Sequence, residues 1–303
     1  MASTPAWYWV FTMNKSAIAV TGVGVVLPGA EPSSAGKEQP ELALIPRKLR
    51  RFSARSIPAA VRACQLAIEM SALGQQALCE KATLYTSQSG YQHPDFDDFV
   101  DALKGWDRDG DPSLIATLWQ SRQVNPFLIT RALSNNLVGI ISQIWKLKND
   151  GVAFIRDQVG SAAALDEAFF QLQAGYADVA IVVISGCAED CYSAVAEQKP
   201  FPANAEHSGA AVLILESESH ATERGASVQA WLEDYSSHKP PTSCPLDGPH
   251  FREQKGLEWA GIVMSVAQTI KHLADDRFEG RWAVESGSGK TRKALAVLKR
   301  NFT

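Results

Sequence analysis

Continuous apolar runs recur along the chain, and they predict buried strands. The clearest are Ser16–Gly29 ("SAIAVTGVGVVLPG"), 177–190 ("ADVAIVVISGCAED") and 208–219 ("SGAAVLILESES"). A run that is apolar at nearly every position is typical of a strand that is covered on both faces of a sheet. Further strands are predicted at 81–90, at 151–158 and at both ends of 281–300.

Other segments carry their apolar residues at helical spacing. In residues 52–73, Ala60, Cys64, Leu66 and Ala67 fall on one face of a predicted helix. Further helices are predicted at 93–106, at 125–148 with Pro126 near its start, at 160–175 with Gly175 as C-cap, and at 257–276. Because strands and helices alternate, the sequence predicts an α/β fold with buried sheets.

The composition of the 303 residues is that of an ordinary globular protein, with 46% hydrophobic and 20% charged residues. The net charge of −4 offers no basic surplus for nucleic acid or an anionic membrane surface. The apolar start "MASTPAWYWVFTM" is short and follows no basic segment, so we interpret residues 1–14 as an N-terminal arm rather than a signal peptide or a membrane span. These features predict a cytoplasmic protein.

The five cysteines indicate neither a metal site nor a disulfide framework. They are scattered, form no CxxC pair and have no histidine cluster beside them. Cys187 and Cys191 lie four positions apart, a spacing that is more often a packing feature than a metal site. Scattered cysteines are typical of proteins of the reducing cytoplasm. We expect no metal and no cofactor.

The stretch "AVESGSGKTRKA" invites comparison with a phosphate-binding loop, in which Lys290 would bind phosphate and Thr291 magnesium. The pattern requires glycine at the position of Val284. The following "KALAVLKR" also alternates like a strand, whereas a phosphate-binding loop opens a helix. We therefore interpret the stretch as a glycine turn between two strands, with nucleotide binding as the disfavoured alternative.

The stretch "IRDQVGSAAALDEAFF", residues 155–170, predicts a strand end, a turn of small residues and then a helix. A side chain at such a turn lies beside the free backbone N–H groups of the helix, which stabilise a thiolate or an oxyanion. Here the position holds Gln158, and Gly160, Ser161 and Ala162 keep the turn narrow. Glutamine is no nucleophile, but its carboxamide can accept from those N–H groups as a neutral mimic of a bound carbonyl. The alternative is an ordinary polar cap.

Several collinear stretches resemble the β-ketoacyl synthases of the thiolase superfamily. They are "IAVTGVGVVLPG", "LRRFSARSIPAAVRACQLAI", "NPFLITRALSNNLVGIISQIWKLKNDG", "QLQAGYADVAIVVISGCAED" and "SGAAVLILESESHATERGA". The resemblance implies a thiolase-like layered α/β fold with buried mixed sheets. It divides the chain into a ketosynthase-like first half at 15–225 and a shortened second half at 226–303.

The positions that carry the chemistry of that family are changed in this chain. By the resemblance, Gln158 falls on the nucleophilic cysteine and Lys255 on the second catalytic histidine, while the linker Ser236–His250 replaces the loop that carries the first. No catalytic residue is therefore expected, because an acyl-enzyme needs the thiol and an enolate needs the histidines. The combination resembles the chain-length factor of type II polyketide systems, a silent paralogue of the active ketosynthase. The short second half resembles subunits of aryl polyene systems.

The resemblance also implies partners and a surface. The chain would pair with an active ketosynthase through the strand at 151–157, shape that partner's acyl tunnel with the helix at 127–136, and meet an acyl carrier protein through the complex. The implied lining and interface residues are Phe127, Leu128, Thr130, Leu133, Asn135, Arg156, Asp157 and Gln158. Asn135 or Asn136 corresponds to an asparagine that is usual in the family.

Two other classes of function stay open. The first is an enzyme that acts alone, either a malonyl-carrier-protein decarboxylase that uses Gln158 or a hydrolase that uses another residue. The second is a regulatory module that binds acyl chains as a monomer or a homodimer. Replacement of Gln158 by alanine separates the decarboxylase from a silent subunit, and the oligomeric state separates the module from both.

Overall fold

A computed structural model of the chain describes residues 16–28, 40–54, 56–88, 113, 116, 120, 127–131, 133–155, 157–187, 208–236, 251–252, 260–276, 280–286 and 294–300. Several predicted features lie outside these residues: the arm at 1–14, the helix at 93–106, the linker from 237 to His250, Arg156 and Lys255.

The described strands form one mixed sheet of nine strands. They are β1 Ile18–Val26, β2 Ala82–Gln88, β3 Gly151–Ile155, β4 Val179–Cys187, β5 Ser208–Ser217, β6 Ala230–Ser236, β7 Phe251–Arg252, β8 Gly280–Ser286 and β9 Ala294–Arg300. Their order in the sheet is β3-β2-β4-β5-β1-β6-β9-β8-β7. The three continuous apolar runs are β1, β4 and β5, and they are buried along most of their length, as predicted.

The described helices are α1 Pro40–Ala43, α2 Arg47–Arg50, α3 Ile57–Ser71, α4 Gln75–Lys81, α5 Leu128–Arg131, α6 Asn136–Trp145, α7 Asp157–Gln173, α8 Glu218–Glu223 and α9 Gly261–Asp276. On α3, Ala60, Cys64 and Ala67 are buried as predicted, whereas Leu66 is only half-buried. Gly175 has a φ of 72° two residues after α7 ends, as expected of a C-terminal cap. Within the described part of the chain, no helix combines the length and apolar character needed to cross a membrane.

The single helix predicted at 125–148 is wrong, because the structure contains two helices there. α5 ends at Arg131 and α6 begins at Asn136, and Leu133 lies between them outside any helix. The cause is a tertiary contact. The Asn136 side chain donates to the carbonyls of Phe52 (2.9 Å) and Thr130 (3.1 Å). A continuous helix would use the Thr130 carbonyl in its own hydrogen-bond ladder.

The strand predicted at 151–158 is too long, and the helix predicted at 160–175 begins too late. β3 ends at Ile155 and α7 already begins at Asp157, so the three small residues at 160–162 lie inside the helix. Gly160 and Ser161 are buried there, and α9 packs against α7. Small side chains serve helix packing at this place rather than a turn.

The stretch compared with a phosphate-binding loop begins in β8 and ends at the first residue of β9, and these strands pair as antiparallel neighbours. Residues 287–293, with Lys290 and Thr291, lie outside the described residues, and Ala294–Arg300 form a strand, as the alternation predicts. A phosphate-binding loop opens a helix instead. The nucleotide-binding alternative thus has no support from the elements around this stretch.

The two halves of the sheet repeat one topology. In the first half, β1-β5-β4-β2-β3, two antiparallel pairs are followed by two parallel pairs. In the second half, β6-β9-β8-β7, two antiparallel pairs are followed by one parallel pair. The second half has no counterpart of β3 among the described residues and is the shorter of the two. β1 and β6 join the halves, and the division of the chain at 225/226 stays a prediction.

Two apolar cores lie on opposite faces of the first half of the sheet. One core contains α7 and α9 together with inward residues of both halves, and the other contains residues of α3 and α6. The alternation along β2 shows the two faces directly, because Tyr85 belongs to the first core and Leu84 to the second. The predicted layered α/β fold with a buried mixed sheet is confirmed.

The close contact of α3 with β1 depends on two glycines. A Cβ atom added at Gly22 would overlap the carbonyl oxygen of Ala67, and one added at Gly24 would overlap that of Ala63. The lack of a side chain lets helix and strand meet backbone to backbone. This contact places the start of α3, where Ser56 lies, against the ends of β2 and β4.

Candidate functional site

The candidate site is the elbow between β3 and α7. β3 runs parallel to β2, and its last residue, Ile155, lies beside Gln88. α7 begins at Asp157, so Asp157 and Gln158 belong to its first turn. The backbone N–H groups of a first turn have no helical partner and carry the positive end of the helix dipole. The first turn of α7, to which Gln158 belongs, therefore offers backbone donors that favour a carbonyl oxygen or an anion.

A second helix begins next to this elbow. The hydroxyl of Ser161 in α7 donates to the carbonyl of Ala260 (2.7 Å) and accepts from the backbone N–H of Val263 (3.3 Å), at the start of α9. The N-terminal ends of α7 and α9 therefore converge, and their positive ends reinforce one another. Ser161 is fully buried, and both bonds engage its hydroxyl. It is a link between two helices rather than a nucleophile.

Tyr235 of β6 contacts the same end of α7 from the second half of the sheet. Its hydroxyl donates to the carbonyl of Ala162 (2.8 Å), and its ring lies 6.0 Å from that of Phe169. Burial and, after it, the charge of Asp166 raise the pKa of Tyr235 above its ordinary value. The phenol therefore stays neutral and continues to donate, which fixes α7 close to the elbow.

A buried polar cluster, formed by Gln88, Ser56 and Ser185, lies at the strand ends beside the elbow. Gln88 Nε2 donates to Ser56 Oγ (3.2 Å), and the hydroxyls of Ser56 and Ser185 are hydrogen-bonded (3.1 Å). All three residues are at most 1% exposed. Gln88 Oε1 has no hydrogen-bond partner among the described residues. Sequence analysis missed this cluster, because nothing in the local pattern links residues so far apart in the chain.

Of the two asparagines at the start of α6, Asn136 makes the structural hydrogen bonds, whereas the predicted lining residues included only Asn135. It is buried, and besides its bonds to Phe52 and Thr130 its Oδ1 accepts from the backbone N–H of Ala54 (3.3 Å). Asn135 is exposed at the N-cap of α6 and makes no side-chain capping bond. A buried asparagine joining three backbone groups fixes the approach of two segments that are distant in sequence.

The other predicted lining residues lie on the segment 127–135. Phe127 and Thr130 are half-buried, Leu133 is 47% exposed, and Leu128 is the first residue of α5. Phe127 meets Phe52 edge to face, with ring centroids 4.7 Å apart. No described contact joins this segment to Gln158 directly. Phe52 and Ser56 are close in the chain and relate the two regions, because Phe52 contacts Phe127 and Ser56 belongs to the strand-end cluster.

β3 lies at one edge of the described sheet, and apolar side chains are exposed beside it. One side of β3 pairs with β2, and no described strand pairs with the other side. Val152 of β3 is 38% exposed, and Val159 and Phe170 of α7 are 58% and 47% exposed. α7 packs against β3, so these side chains belong to one side of the molecule. Open edges with apolar side chains favour pairing with another chain.

Comparison with known proteins bears on the fold. No family model matches the chain, and no curated protein matches it. Solved structures do. A structure of a type II polyketide synthase acyl-carrier protein in complex with its ketosynthase bound to the hexaketide matches with 16% identity and a TM-score of 0.73, over 94% of this chain and 100% of that one.

Two further structures extend the comparison. A β-ketoacyl synthase from Burkholderia phymatum has 14% identity and a TM-score of 0.64, over 95% of this chain and 100% of its own. The ishigamide ketosynthase/chain length factor has 14% identity and a TM-score of 0.60, over 95% and 100%. α7 and α9 pack in one core with strands from both halves of the sheet. Taken with these matches, this arrangement shows that the chain has the thiolase-like fold of the β-ketoacyl synthases.

Proposed function

We propose that the chain is a non-catalytic, chain-length-factor-like subunit that pairs with an active ketosynthase and shapes its acyl tunnel in polyketide or polyene biosynthesis. The observation that carries the proposal is the presence of Gln158 in the first turn of α7, at the elbow of a ketosynthase-like fold. A thiol at this place would form an acyl-enzyme, whereas a carboxamide offers no nucleophile. The buried Ser161 does not replace it, because its hydroxyl is already bonded on both sides.

The open edge of β3 supports the pairing with a partner. An active ketosynthase that adds its own strand there would satisfy the outer backbone groups of β3 and cover Val152, Val159 and Phe170. One matched structure is a ketosynthase with a chain length factor, and another contains a ketosynthase with an acyl-carrier protein. We propose that this chain likewise binds a ketosynthase, and that an acyl carrier protein binds to the resulting complex.

The segment 127–135 supports the role in shaping the tunnel. Among its described residues, Leu128–Arg131 form the single turn α5, and Leu133 is exposed between α5 and α6. α6 packs against β3, which places this segment next to the edge where the partner would pair. Phe127, Leu128, Thr130, Leu133 and Asn135 are the proposed lining residues, and Arg156, Asp157 and Gln158 the proposed interface residues.

The direct test is coexpression of the chain with a cysteine-bearing ketosynthase and an acyl carrier protein encoded beside it. We expect the chain and the ketosynthase to elute together as a heteromer with condensing activity. We expect the chain alone to form no acyl-enzyme with malonyl-carrier protein. Condensation by the chain alone would contradict the proposal.

A pair of variants tests the pairing surface. Val152→Asp places a carboxylate on the β3 edge, and burying an unpaired carboxylate in an interface costs several kcal/mol. We expect pairing to weaken at least about 100-fold, measured by the fraction that elutes with the ketosynthase. Met70→Asp is the matched control, because Met70 is 41% exposed on α3. Equal pairing by the two variants would remove β3 from the interface.

One observation favours a second function. Two helix N-termini converge at the elbow, an arrangement that can stabilise the enolate left by decarboxylation of a malonyl group. A decarboxylase of this kind would release carbon dioxide from malonyl-carrier protein without a partner, and Gln158→Ala would abolish the release. Such activity in the isolated chain would replace the silent-subunit proposal.

A further inference from the structure

The segment 127–135, which carries the proposed lining residues, contains too little regular structure to fix its own conformation. α5 is a single turn of four residues. An isolated helix shorter than about 12 residues is marginal in water. Within the segment, the backbone N–H of Arg131 donates to the carbonyl of Phe127 (2.9 Å). The position of the Phe127 ring must therefore come from residues elsewhere in the fold.

Arg51 and Phe52 supply that position. The guanidinium of Arg51 lies over two rings, 4.8 Å from the centroid of Phe52 and 5.0 Å from that of Phe127. The rings themselves meet at an interplanar angle of 69°. The backbone adds a further contact, because Arg131 Nε donates to the carbonyl of Arg51 (3.1 Å). The three side chains thus form a stack that joins the end of α2 to the start of α5.

The Phe52 side of this stack is anchored in the protein. The N–H of Phe52 donates to the carbonyl of Leu49 (3.0 Å), and its carbonyl accepts from Asn136 (2.9 Å). Leu49 and Asn136 are both buried. Arg51, in contrast, is exposed, so its side chain can be replaced without opening a core.

We propose that Arg51 is a positioning residue that fixes the ring of Phe127 against Phe52 and thereby sets the depth of the acyl tunnel. This inference rests on the proposed function of the chain. A cation over an aromatic face at an exposed site favours the contact by roughly twofold to fivefold. A planar guanidinium stacks on aromatic faces in a way that a compact ammonium does not. The arginine suits a place between two rings for that reason.

The first experiment measures hydrogen exchange in the chain by itself. In Arg51→Gln the cation is lost but the backbone bonds remain, and we expect the Arg131 amide to exchange about twofold to fivefold faster. Arg51→Lys keeps the charge but not the planar group, so it should restore only part of the protection. Arg47→Gln is the control, because Arg47 lies on α2 and has no ring contact among the described residues. Equal exchange in Arg51→Gln and Arg47→Gln would overturn the proposal.

The second experiment measures the lengths of the acyl chains made by the complex with an active ketosynthase and carrier protein. We expect Arg51→Gln to shift the distribution of lengths and Arg51→Lys to shift it less, while Arg47→Gln leaves it unchanged and the yield of complex stays the same in all three variants. An unchanged distribution despite faster exchange would overturn the link to tunnel depth. If the wild-type chain forms no complex, the proposed function falls instead, and the exchange of Arg131 alone decides whether Arg51 positions the segment.

Discussion

Two buried polar clusters lie at opposite ends of the first half of the sheet, and they are built differently. The strand-end cluster of Gln88, Ser56 and Ser185 lies beside the elbow. The other surrounds Glu216, near the end of β5. Along β4, Val179 pairs with Glu216 while Ser185 lies beside Gln88, so almost the full length of β4 separates the two clusters.

The carboxylate of Glu216 is fully engaged although it is completely buried. Arg224 donates to Oε2 through Nε (2.7 Å) and to Oε1 through Nη2 (2.5 Å), and Thr21 donates to Oε1 (2.5 Å). His220 Nδ1 lies 2.7 Å from Oε2. Arg224 also donates to the carbonyl of Ser71 at the end of α3 (2.9 Å). The network joins β1, β5, α3 and α8.

Among the described residues, Gln88 makes only part of its possible bonds, because its Oε1 has no donor there. A buried acceptor without a donor costs about 1–3 kcal/mol, and most buried polar groups in native proteins avoid that cost. Proteins depart from such rules mainly at functional sites. Among the described residues, the polar groups at the end of the sheet away from the elbow are fully hydrogen-bonded, whereas one acceptor at the end beside the elbow is not.

Removal of Arg224 gives the largest expected effect. Arg224→Met leaves the Glu216 carboxylate buried with its strongest partner gone, and breaking a buried ion pair costs about 3–5 kcal/mol. Because the side chain of Arg224 is 22% exposed, some water can replace it. We therefore expect the free energy of unfolding in urea to fall by about 3 kcal/mol, at the lower end of that range.

The matched control is Arg62→Met. Arg62 is half-buried on α3, and its Nη1 donates to Gln65 Oε1 (3.0 Å) without contacting a buried charge. We expect it to change the free energy of unfolding by no more than about 0.5 kcal/mol. Similar losses in the two variants would mean that the Glu216 network is not a special source of stability.

Acid should weaken the same network. Burial raises the pKa of Glu216, but hydrogen bonds from Arg224, Thr21 and His220 together bring it below its usual value. A pKa that is lower in the folded state gives stability above the unfolded pKa, about 4.3 for glutamate. That stability is lost as the pH falls through the folded pKa. Each unit of difference corresponds to about 1.4 kcal/mol.

The variant Glu216→Gln isolates this contribution. The other carboxylates titrate in both proteins, so the difference in unfolding free energy between wild type and variant should shrink as the pH falls below about 4.3. Urea unfolding at a series of pH values measures it. A difference that grows as the pH falls would mean that the folded pKa of Glu216 lies above the unfolded one.

The sequence predicts elements whose cause is local and misses contacts whose cause is distant. β4 and β5 are continuous apolar runs, so their burial follows from the pattern alone. The break before Asn136 does not, because it depends on a bond to Phe52, 84 residues away. The start of α7 was placed at Gly160 instead of Asp157 because glycine is a common turn residue.

The candidate site also combines features that are specified locally with features that depend on residues far apart in the sequence. The position of Gln158 at a strand–helix elbow was predictable, because the strand and the helix are each specified by neighbouring residues. The strand-end cluster was not, since Ser56 and Ser185 are 129 residues apart. Arg51 gave no signal either, because a cation in a basic run is usually solvated. It became a candidate only when the structure placed it over two rings.

Replacement of Gln88 gives the smallest expected change in the free energy of unfolding. It also tests most directly the difference between the strand-end cluster and the Glu216 network. Gln88→Met removes the bond to Ser56, worth about 1 kcal/mol. It also removes Oε1, which has no donor among the described residues, and a buried acceptor without a donor costs about 1–3 kcal/mol. The two changes offset each other, so we expect the free energy of unfolding to stay within about 1 kcal/mol of wild type or to rise. Gln76→Met, on the exposed α4 surface, controls for the loss of a glutamine. A loss of more than about 2 kcal/mol in Gln88→Met alone would mean that Oε1 has a partner, and the polar groups at both ends of the sheet would then be fully hydrogen-bonded.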